Sequence, residues 1–178
     1  MKDVCDRLCE KLIYRHPHVF GEVVAETAGE VCKNWEQLKM TEKGGNKTIL
    51  SGIPNSMPSL IKAYRMQEKA ANVGFDWEKK EDVWDKVREE IAEIEAEMAK
   101  GDKENCEKEF GDLIFSLVNA ARLYDINPDN ALELTNAKFR RRFNYVEESS
   151  KAKGLNLKDM SLEEMDALWN EAKESEKA

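Results

Sequence analysis

The placement of the chain breakers constrains this sequence more than any other feature. Four prolines and nine glycines fall almost entirely between segments of periodic hydrophobicity, and these are the residues that stop or weaken a helix. What lies between them is a series of long stretches free to be helical. The first runs from Lys2 to about Tyr14, with Val4, Leu8, Leu12 and Ile13 on one side. It stops at Arg15-His16-Pro17-His18, because the residue before a proline avoids the helical region. A second helix is predicted from about Val23 to Met40, with Val24, Val31, Trp35 and Leu38 as its apolar side. Others are predicted after Pro58, over about Glu81 to Ala99, Lys103 to about Tyr124, Asn127-Pro128 to Gly154, and Ser161 to about Ser175. Asp102 reads as an N-cap, and Ser161-Leu162-Glu163-Glu164 matches a capping box. Val, Ile and Thr never alternate with polar residues long enough to make a strand, so the fold class is all-α.

Composition narrows the function. At 178 residues and 41% hydrophobic, the chain can bury a real core as one domain, or as a small domain with an appendage. A formal net charge of −8 argues against a nucleic-acid backbone as partner. The cysteines Cys5, Cys9, Cys32 and Cys106 form no Cys-x-x-Cys pair, and there are two histidines, which argues against a thiolate zinc site. Scattered cysteines fit a reducing cytoplasm, which is the expected location. No apolar run approaches the roughly 20 residues of a membrane helix, and the N-terminus carries no apolar signal region, so no membrane partner is expected.

Lys43-Gly44-Gly45-Asn46-Lys47 and Gly52-Ile53-Pro54-Asn55 read as a linker. Lys11 to Phe20 is similar to Lys138 to Glu147, each placing Lys, an apolar residue and Arg in the same order. If this is a repeat, the chain opens on the tail of one copy, residues 1–40, passes a linker at 41–57, and holds a complete copy in 58–178.

Two acid motifs carry the chemistry. On the helix predicted over Glu81 to Ala99, Val83, Val87, Ile91, Ile94 and Met98 form the apolar stripe. At about 100° per residue, Lys86, Glu90, Glu93 and Glu97 form a strip along its border, with Glu89 farther toward solvent. The next helix carries Glu109-Phe110-Gly111-Asp112, with Asp112, Ser116 and Asn119 continuing its polar strip. A short turn makes the two helices antiparallel neighbours, so the two acid pairs can converge at the rim of their seam. Carboxylates that close raise one another's pKa unless a cation neutralises them, and hard oxygen ligands suit Mg²⁺ or Mn²⁺. Gly111 costs about 1 kcal/mol against alanine in a helix interior, which points to a close approach by a helix or a ligand. Either motif alone is common on a solvated helix; their pairing on adjacent helices is the informative feature.

Glu89-Glu90-x-x-Glu93 followed by Glu109-x-x-Asp112 resembles the signature of the MazG family of nucleoside triphosphate pyrophosphohydrolases. The resemblance extends to Ala63-Tyr64-Arg65-Met66-Gln67-Glu68-Lys69-Ala70-Ala71-Asn72-Val73-Gly74-Phe75-Asp76-Trp77, to Lys138-Phe139-Arg140-Arg141-Arg142-Phe143, and to the closing helix from Leu162 to Trp169. Arg15-His16-Pro17-His18-Val19-Phe20 resembles the end of the first copy in tandem members. The resemblance implies an all-α, MazG-like bundle whose catalytic four-helix core is completed by dimerisation. It implies Mg²⁺, with Mn²⁺ a possible substitute, held by Glu90, Glu93, Glu109 and Asp112. The implied reaction converts a nucleoside triphosphate, ATP among the candidates, to the monophosphate and pyrophosphate, as nucleotide-pool housecleaning. Lys86, Lys138, Arg141, Arg142 and Trp169 fall where the family contacts nucleotide, and Asn119 is a further candidate for the base or sugar.

The residues give this a mechanism. A triphosphate enters an acidic cleft only with cations, and Lys138, Arg141 and Arg142 lie at i, i+3 and i+4 on one face, where guanidinium forks suit phosphate. Glu89, Glu90 or Glu93 could orient the attacking water. Bland alternatives stand beside these roles: a solvated basic turn for Lys138 to Arg142, plain core for Trp169, packing for Trp77 and Trp84, and capping or surface positions for His16 and His18. Lys69 and the segment Asn72 to Trp77 border the nucleotide in the sharper reading. A competing function is a nucleotide- or partner-binding helical module without turnover; a coiled-coil adaptor is disfavoured because no apolar heptad outlasts one helix.

Overall fold

In a computed structural model the chain is described at residues 2–25, 27–41 and 48–176. Among these are eight α-helices and no strand: α1 (Lys2–Arg15), α2 (Pro17–Phe20), α3 (Ala28–Thr41), α4 (Ser59–Ala71), α5 (Val83–Lys100), α6 (Lys103–Leu123), α7 (Pro128–Ala152) and α8 (Leu162–Ser175). The all-α expectation is met. No helix among the described residues is long and apolar enough to cross a membrane.

Local chemistry explains most boundaries. Asp102 caps α6 by accepting from the Glu104 and Asn105 amides, each at 3.1 Å. Ser161 and Glu164 cap α8 reciprocally, the Glu164 amide donating to Ser161 Oγ at 3.2 Å and the Ser161 amide to Glu164 Oε2 at 2.8 Å. Gly101 ends α5 at φ +74°, its N–H reaching the carbonyls of Glu97 and Met98; this left-handed turn folds α6 straight back along α5. Three stretches differ from the sequence expectation. α3 begins at Ala28 rather than near Val23, because the Thr27 hydroxyl accepts from the Glu30 amide at 3.3 Å and starts the helix there. Pro17 opens the short α2 where an uninterrupted turn was expected. Ile49–Gly52 forms a 3-10 turn, with the Thr48 amide on Ser51 Oγ at 3.2 Å, ahead of the expected Gly52 to Asn55 loop. The linker residues Lys43 to Lys47 lie outside the described residues. His16 caps the end of α1, its Nδ1 donating to the Leu12 carbonyl at 2.7 Å, while His18 is half-buried with its ring 5.6 Å from that of His16.

The chain divides into two compact units, Met1–Pro128 and Asp129–Ala178. In the first, α1 packs on α2 and α3, while α6 packs on α5 and α4. Its core joins Val83, Val87 and Ala120 to the partly buried Leu113, Leu123 and Tyr124, with the Trp84 indole N–H donating to Tyr124 Oη at 3.2 Å. The α5 stripe is buried at Val83, Val87 and Ile94 but open at Ile91 (41% exposed) and Met98 (55%). Phe110, Ile114 and Leu117 on α6 are likewise 45 to 50% exposed. In the second unit, Val146, Leu168 and Ala172 are buried and Phe139 meets Trp169 at a ring distance of 5.2 Å.

Candidate active site

The α5–α6 hairpin brings together three of the four acids expected to converge, and Glu93 is not among them. Glu90, Glu109 and Asp112 each offer a carboxylate oxygen, and the three oxygens lie within 4.8 Å of one another. Glu90 is buried, Glu109 half-buried and Asp112 exposed, so the cluster opens from the seam toward solvent. Lys86, one turn ahead of Glu90, reaches both Glu89 Oε1 and Glu90 Oε1 at 2.8 Å. The hydrogen bonds it donates to those two carboxylates hold its ammonium well above the usual lysine range. Glu93 is exposed, yet its carboxyl is held above the ordinary value, first by lost hydration and then by the charges of Glu90, Glu109 and Glu89, against the opposing Lys86.

A single lysine therefore faces a larger group of acids, and the surplus negative charge has no cation of the described chain to meet it in that cluster. The donors are all oxygens, with neither imidazole nor thiolate among them, the chemistry of a hard divalent cation. The residues fit such an ion. Gly111, between two of the acids, has nothing within 4 Å of where a Cβ would stand. No described helix of this chain accounts for the close approach inferred from that glycine.

Beside the acids lies a cavity of about 660 Å³, whose lining includes Lys86, Glu90, Asp112 and Asn119. Its remaining surface is mostly apolar and aromatic, with Met66, Phe75, Trp77, Val83 and Phe115 among the contributors. Of the two readings of Trp77, packing and a place in the Asn72 to Trp77 segment bordering the nucleotide, the structure favours the second: it is 40% exposed and lines this cavity. The cavity is also where the polar residues missed by sequence reasoning appear. Gln67 is buried on α4 and donates from Nε2 to the Phe115 carbonyl at 2.8 Å. Arg122 bonds the Asp76 carboxylate, Nη1 to Oδ2 at 3.0 Å and Nη2 to Oδ1 at 2.5 Å, and also Asn119 Oδ1. Burial pushes the Asp76 carboxyl up, but the Arg122 hydrogen bond, the Trp77 N–H and the guanidinium charge together hold it below the ordinary value. One signal pointed to Gln67: with Leu60, Tyr64 and Ala71 it shares one helical stripe, at which a polar residue is out of place.

The remaining sequence candidates lie in the second unit. Arg141 Nε donates to Glu176 Oε1 at 2.7 Å, and Arg142 reaches Glu176 Oε2 from Nε at 2.9 Å and Nη2 at 2.6 Å. Those two guanidiniums hold the Glu176 carboxyl down to about 2. Arg142 also lies over the Trp169 ring at 5.7 Å, and Lys138 is exposed on α7. The structure thus gathers Lys86, Glu90, Glu109, Asp112 and Asn119 around one hairpin and cavity, with Glu89 bound to Lys86 and Glu93 within electrostatic reach; it gathers Arg141, Arg142 and Trp169 in the second unit.

Comparison with known proteins follows the same residues. The family model of the MazG nucleotide pyrophosphohydrolase domain matches residues 78–147, which contain both acid motifs. Over 98% of its length the chain is 42% identical to a protein of Escherichia coli named nucleoside triphosphate pyrophosphohydrolase, covering 68% of that protein. It is 42% identical over 97% of its length to the nucleoside triphosphate pyrophosphohydrolase/pyrophosphatase MazG of Thermotoga maritima, covering 66% of it. It is 50% identical to the uncharacterized protein YabN of Bacillus subtilis, covering 36% of that longer protein. The fold, the acid hairpin and these matches define an all-α hydrolase. The chain belongs to the MazG family of nucleoside triphosphate pyrophosphohydrolases.

Proposed function

We propose that this enzyme hydrolyses nucleoside triphosphates to nucleoside monophosphate and pyrophosphate with Mg²⁺, in the cytoplasm, as nucleotide-pool housecleaning. The observation that carries the reading is the convergence of Glu90, Glu109 and Asp112 beside a cavity of nucleotide size, in a chain alike over nearly its whole length to a named nucleoside triphosphate pyrophosphohydrolase.

Glu90, Glu93, Glu109 and Asp112 hold the divalent cation. When bound, the ion neutralises phosphate charge, polarises the phosphoryl oxygens and acidifies a water. The chain's own residues do the positioning on which phosphoryl transfer depends. Lys86 is anchored by Glu89 and Glu90 so that its fixed positive charge can meet a phosphate oxygen. One of Glu89, Glu90 and Glu93 orients the attacking water and takes its proton. The water oxygen bonds to the α phosphorus, the bond from that phosphorus to the bridging oxygen breaks, and pyrophosphate leaves. Lys138, Arg141, Arg142, Asn119 and Trp169 contact the nucleotide. Residues 58–178 form the catalytic domain; residues 1–40 are a helical segment outside it, joined through 41–57.

The enzyme works as a homodimer. The exposed strip Phe110, Ile114 and Leu117 and the open position at Gly111 support a second helix lying on α6. A monomer by light scattering at working concentration overturns this part.

Purified protein given a panel of nucleoside triphosphates with Mg²⁺ should release pyrophosphate and not orthophosphate, with products identified by chromatography. Glu90→Gln and Asp112→Asn should each abolish release. Activity that survives both substitutions rejects the assignment, and tight metal-dependent nucleotide binding without product favours a binding module.

A further inference from the structure

The chain has two histidines, and both stand where α1 passes into α2, on either side of Pro17. Their ring centroids are 5.6 Å apart and their planes are tilted by 54°. The Leu12 carbonyl can only accept, so the 2.7 Å bond to it puts a proton on His16 Nδ1. Nε2 of the neutral ring is then left with its lone pair. One ring nitrogen tied to a backbone carbonyl and the other left open is how ligating imidazoles are oriented. The His18 ring makes no hydrogen bond among the described residues. The backbone beneath the two rings is held: the His16 carbonyl accepts from the Val19 amide at 2.9 Å and the Phe20 amide at 3.0 Å, and the Gly21 amide donates to the Pro17 carbonyl at 2.9 Å. Pro17 itself has a fixed φ.

Capping α1 takes one nitrogen of one ring. It accounts for His16 Nδ1 and gives no task to His16 Nε2 or to His18. A shared ion does. A ligating imidazole nitrogen stands about 2.0–2.1 Å from Zn²⁺, so two rings at the tetrahedral angle on one ion have centroids about 5 Å apart. The observed 5.6 Å is within a small side-chain rotation of that arrangement. The neighbouring cation does not oppose it, because the Arg15 guanidinium is drawn over the Trp35 ring at 5.8 Å. The donor set also differs in kind from the acid cluster. Imidazole nitrogen suits the borderline ions Zn²⁺, Ni²⁺ and Cu²⁺, whereas the carboxylates of Glu90, Glu109 and Asp112 suit hard ions.

We propose that His16 and His18 form an open two-imidazole site for a borderline divalent cation of the Zn²⁺, Ni²⁺ and Cu²⁺ class. His16 Nε2 and one nitrogen of His18 are its ligands, and water completes the coordination. The Leu12 carbonyl positions the His16 ring by fixing its tautomer. The site shares no residue with the acid hairpin and goes beyond the hydrolysis reading, so the protein sorts divalent cations between two places by donor chemistry. With two protein ligands instead of the four of a closed structural site, the ion exchanges readily.

The test is a titration of the full chain, free of any histidine tag, with paramagnetic Ni²⁺ in excess Mg²⁺, read by NMR at the imidazole Hε1 signals. Two histidines give two signals, and Ni²⁺ should broaden both together. His16→Asn assigns the signals; its amide N–H can still donate to the Leu12 carbonyl, but the Nε2 ligand is gone. The His18 signal of that variant should need at least about tenfold more Ni²⁺ for the same broadening. His18→Asn should do the same to the His16 signal, and it breaks no hydrogen bond, so the test survives a His16→Asn protein that fails to fold. Broadening should persist in Glu90→Gln, where the acid cluster is broken, and in the Cys5→Ser/Cys9→Ser double variant, where the thiols of α1 are removed. Broadening of one signal alone, or an equal Ni²⁺ requirement in wild type and His18→Asn, overturns the proposal. So does its loss in Glu90→Gln or in the cysteine double variant, because the ion then sits on those groups. Pyrophosphate release enters none of these readouts, so failure of the hydrolysis reading and failure of this site are told apart.

Discussion

Around the α5–α6 hairpin, Glu90, Glu109 and Asp112 crowd within 4.8 Å, and among the described residues Lys86 is the cation that pairs with one of them, Glu90. In the second unit the ratio is reversed, and one carboxylate, Glu176, serves both Arg141 and Arg142. The pKa directions record the contrast. Glu93 beside the acids is held up, while Glu176 between the guanidiniums is held down to about 2. The first arrangement is electrostatically unfinished and calls for a cation from outside the chain. The second has closed on itself, and a phosphate seeking the same guanidinium edges would compete with Glu176 for them.

Breaking the first arrangement should have the largest consequence. Glu90→Gln removes the buried member of the acid cluster and should lower kcat by more than 100-fold, beyond the roughly 10–100-fold that losing an outer-shell partner costs. Mg²⁺ or Mn²⁺ at 100 times its Kd should raise wild-type stability by about 2.7 kcal/mol, read as a shift in Tm, and leave Glu90→Gln unmoved. An equal metal-induced shift in both proteins would show that the ion binds elsewhere.

Arg142 sharpens the comparison at the next level. It supplies two of the bonds to Glu176 and lies against Trp169, so Arg142→Ala should raise KM for the triphosphate about tenfold, equivalent to roughly 1.4 kcal/mol. Arg140, which lacks the Glu176 contact, should tolerate alanine with KM changed less than twofold. Steady-state kinetics on the two variants measures both.

The same contrast shows how far the sequence can be read. The acid cluster is legible because its geometry is local: spacings of three residues on two helices, joined by Gly101 and capped by Asp102, leave the side chains little choice. The ends of α6 and α8 are legible for the same reason, since Asp102 and the Ser161–Glu164 pair cap them within four residues. Periodicity locates an apolar face but not what covers it, so Val83 and Val87 are buried as expected while Ile91 and Met98, on the same stripe, stay open. Gln67 on the Phe115 carbonyl and Asp76 on Arg122 are pairings across more than forty residues. No spacing rule reaches that far, and those pairings shape the cavity.

Glu176→Gln is the smallest perturbation and the most discriminating, because it should act in the opposite direction to Arg142→Ala. With the competing carboxylate neutralised, the guanidiniums are easier for phosphate to take, and KM should fall about two- to threefold, a few tenths of a kcal/mol. Stability should move the other way. The folded-state pKa of Glu176 lies below its ordinary 4.5, so its ionised form stabilises the fold above that value and the contribution is lost as pH falls toward 2. The Tm difference between wild type and Glu176→Gln should therefore stay constant from pH 5 to 8 and close below pH 4.5. A KM that rises in Glu176→Gln would mean that the carboxylate holds Arg141 and Arg142 in the geometry that phosphate needs rather than competing for them, and the second unit would then be preorganised rather than blocked.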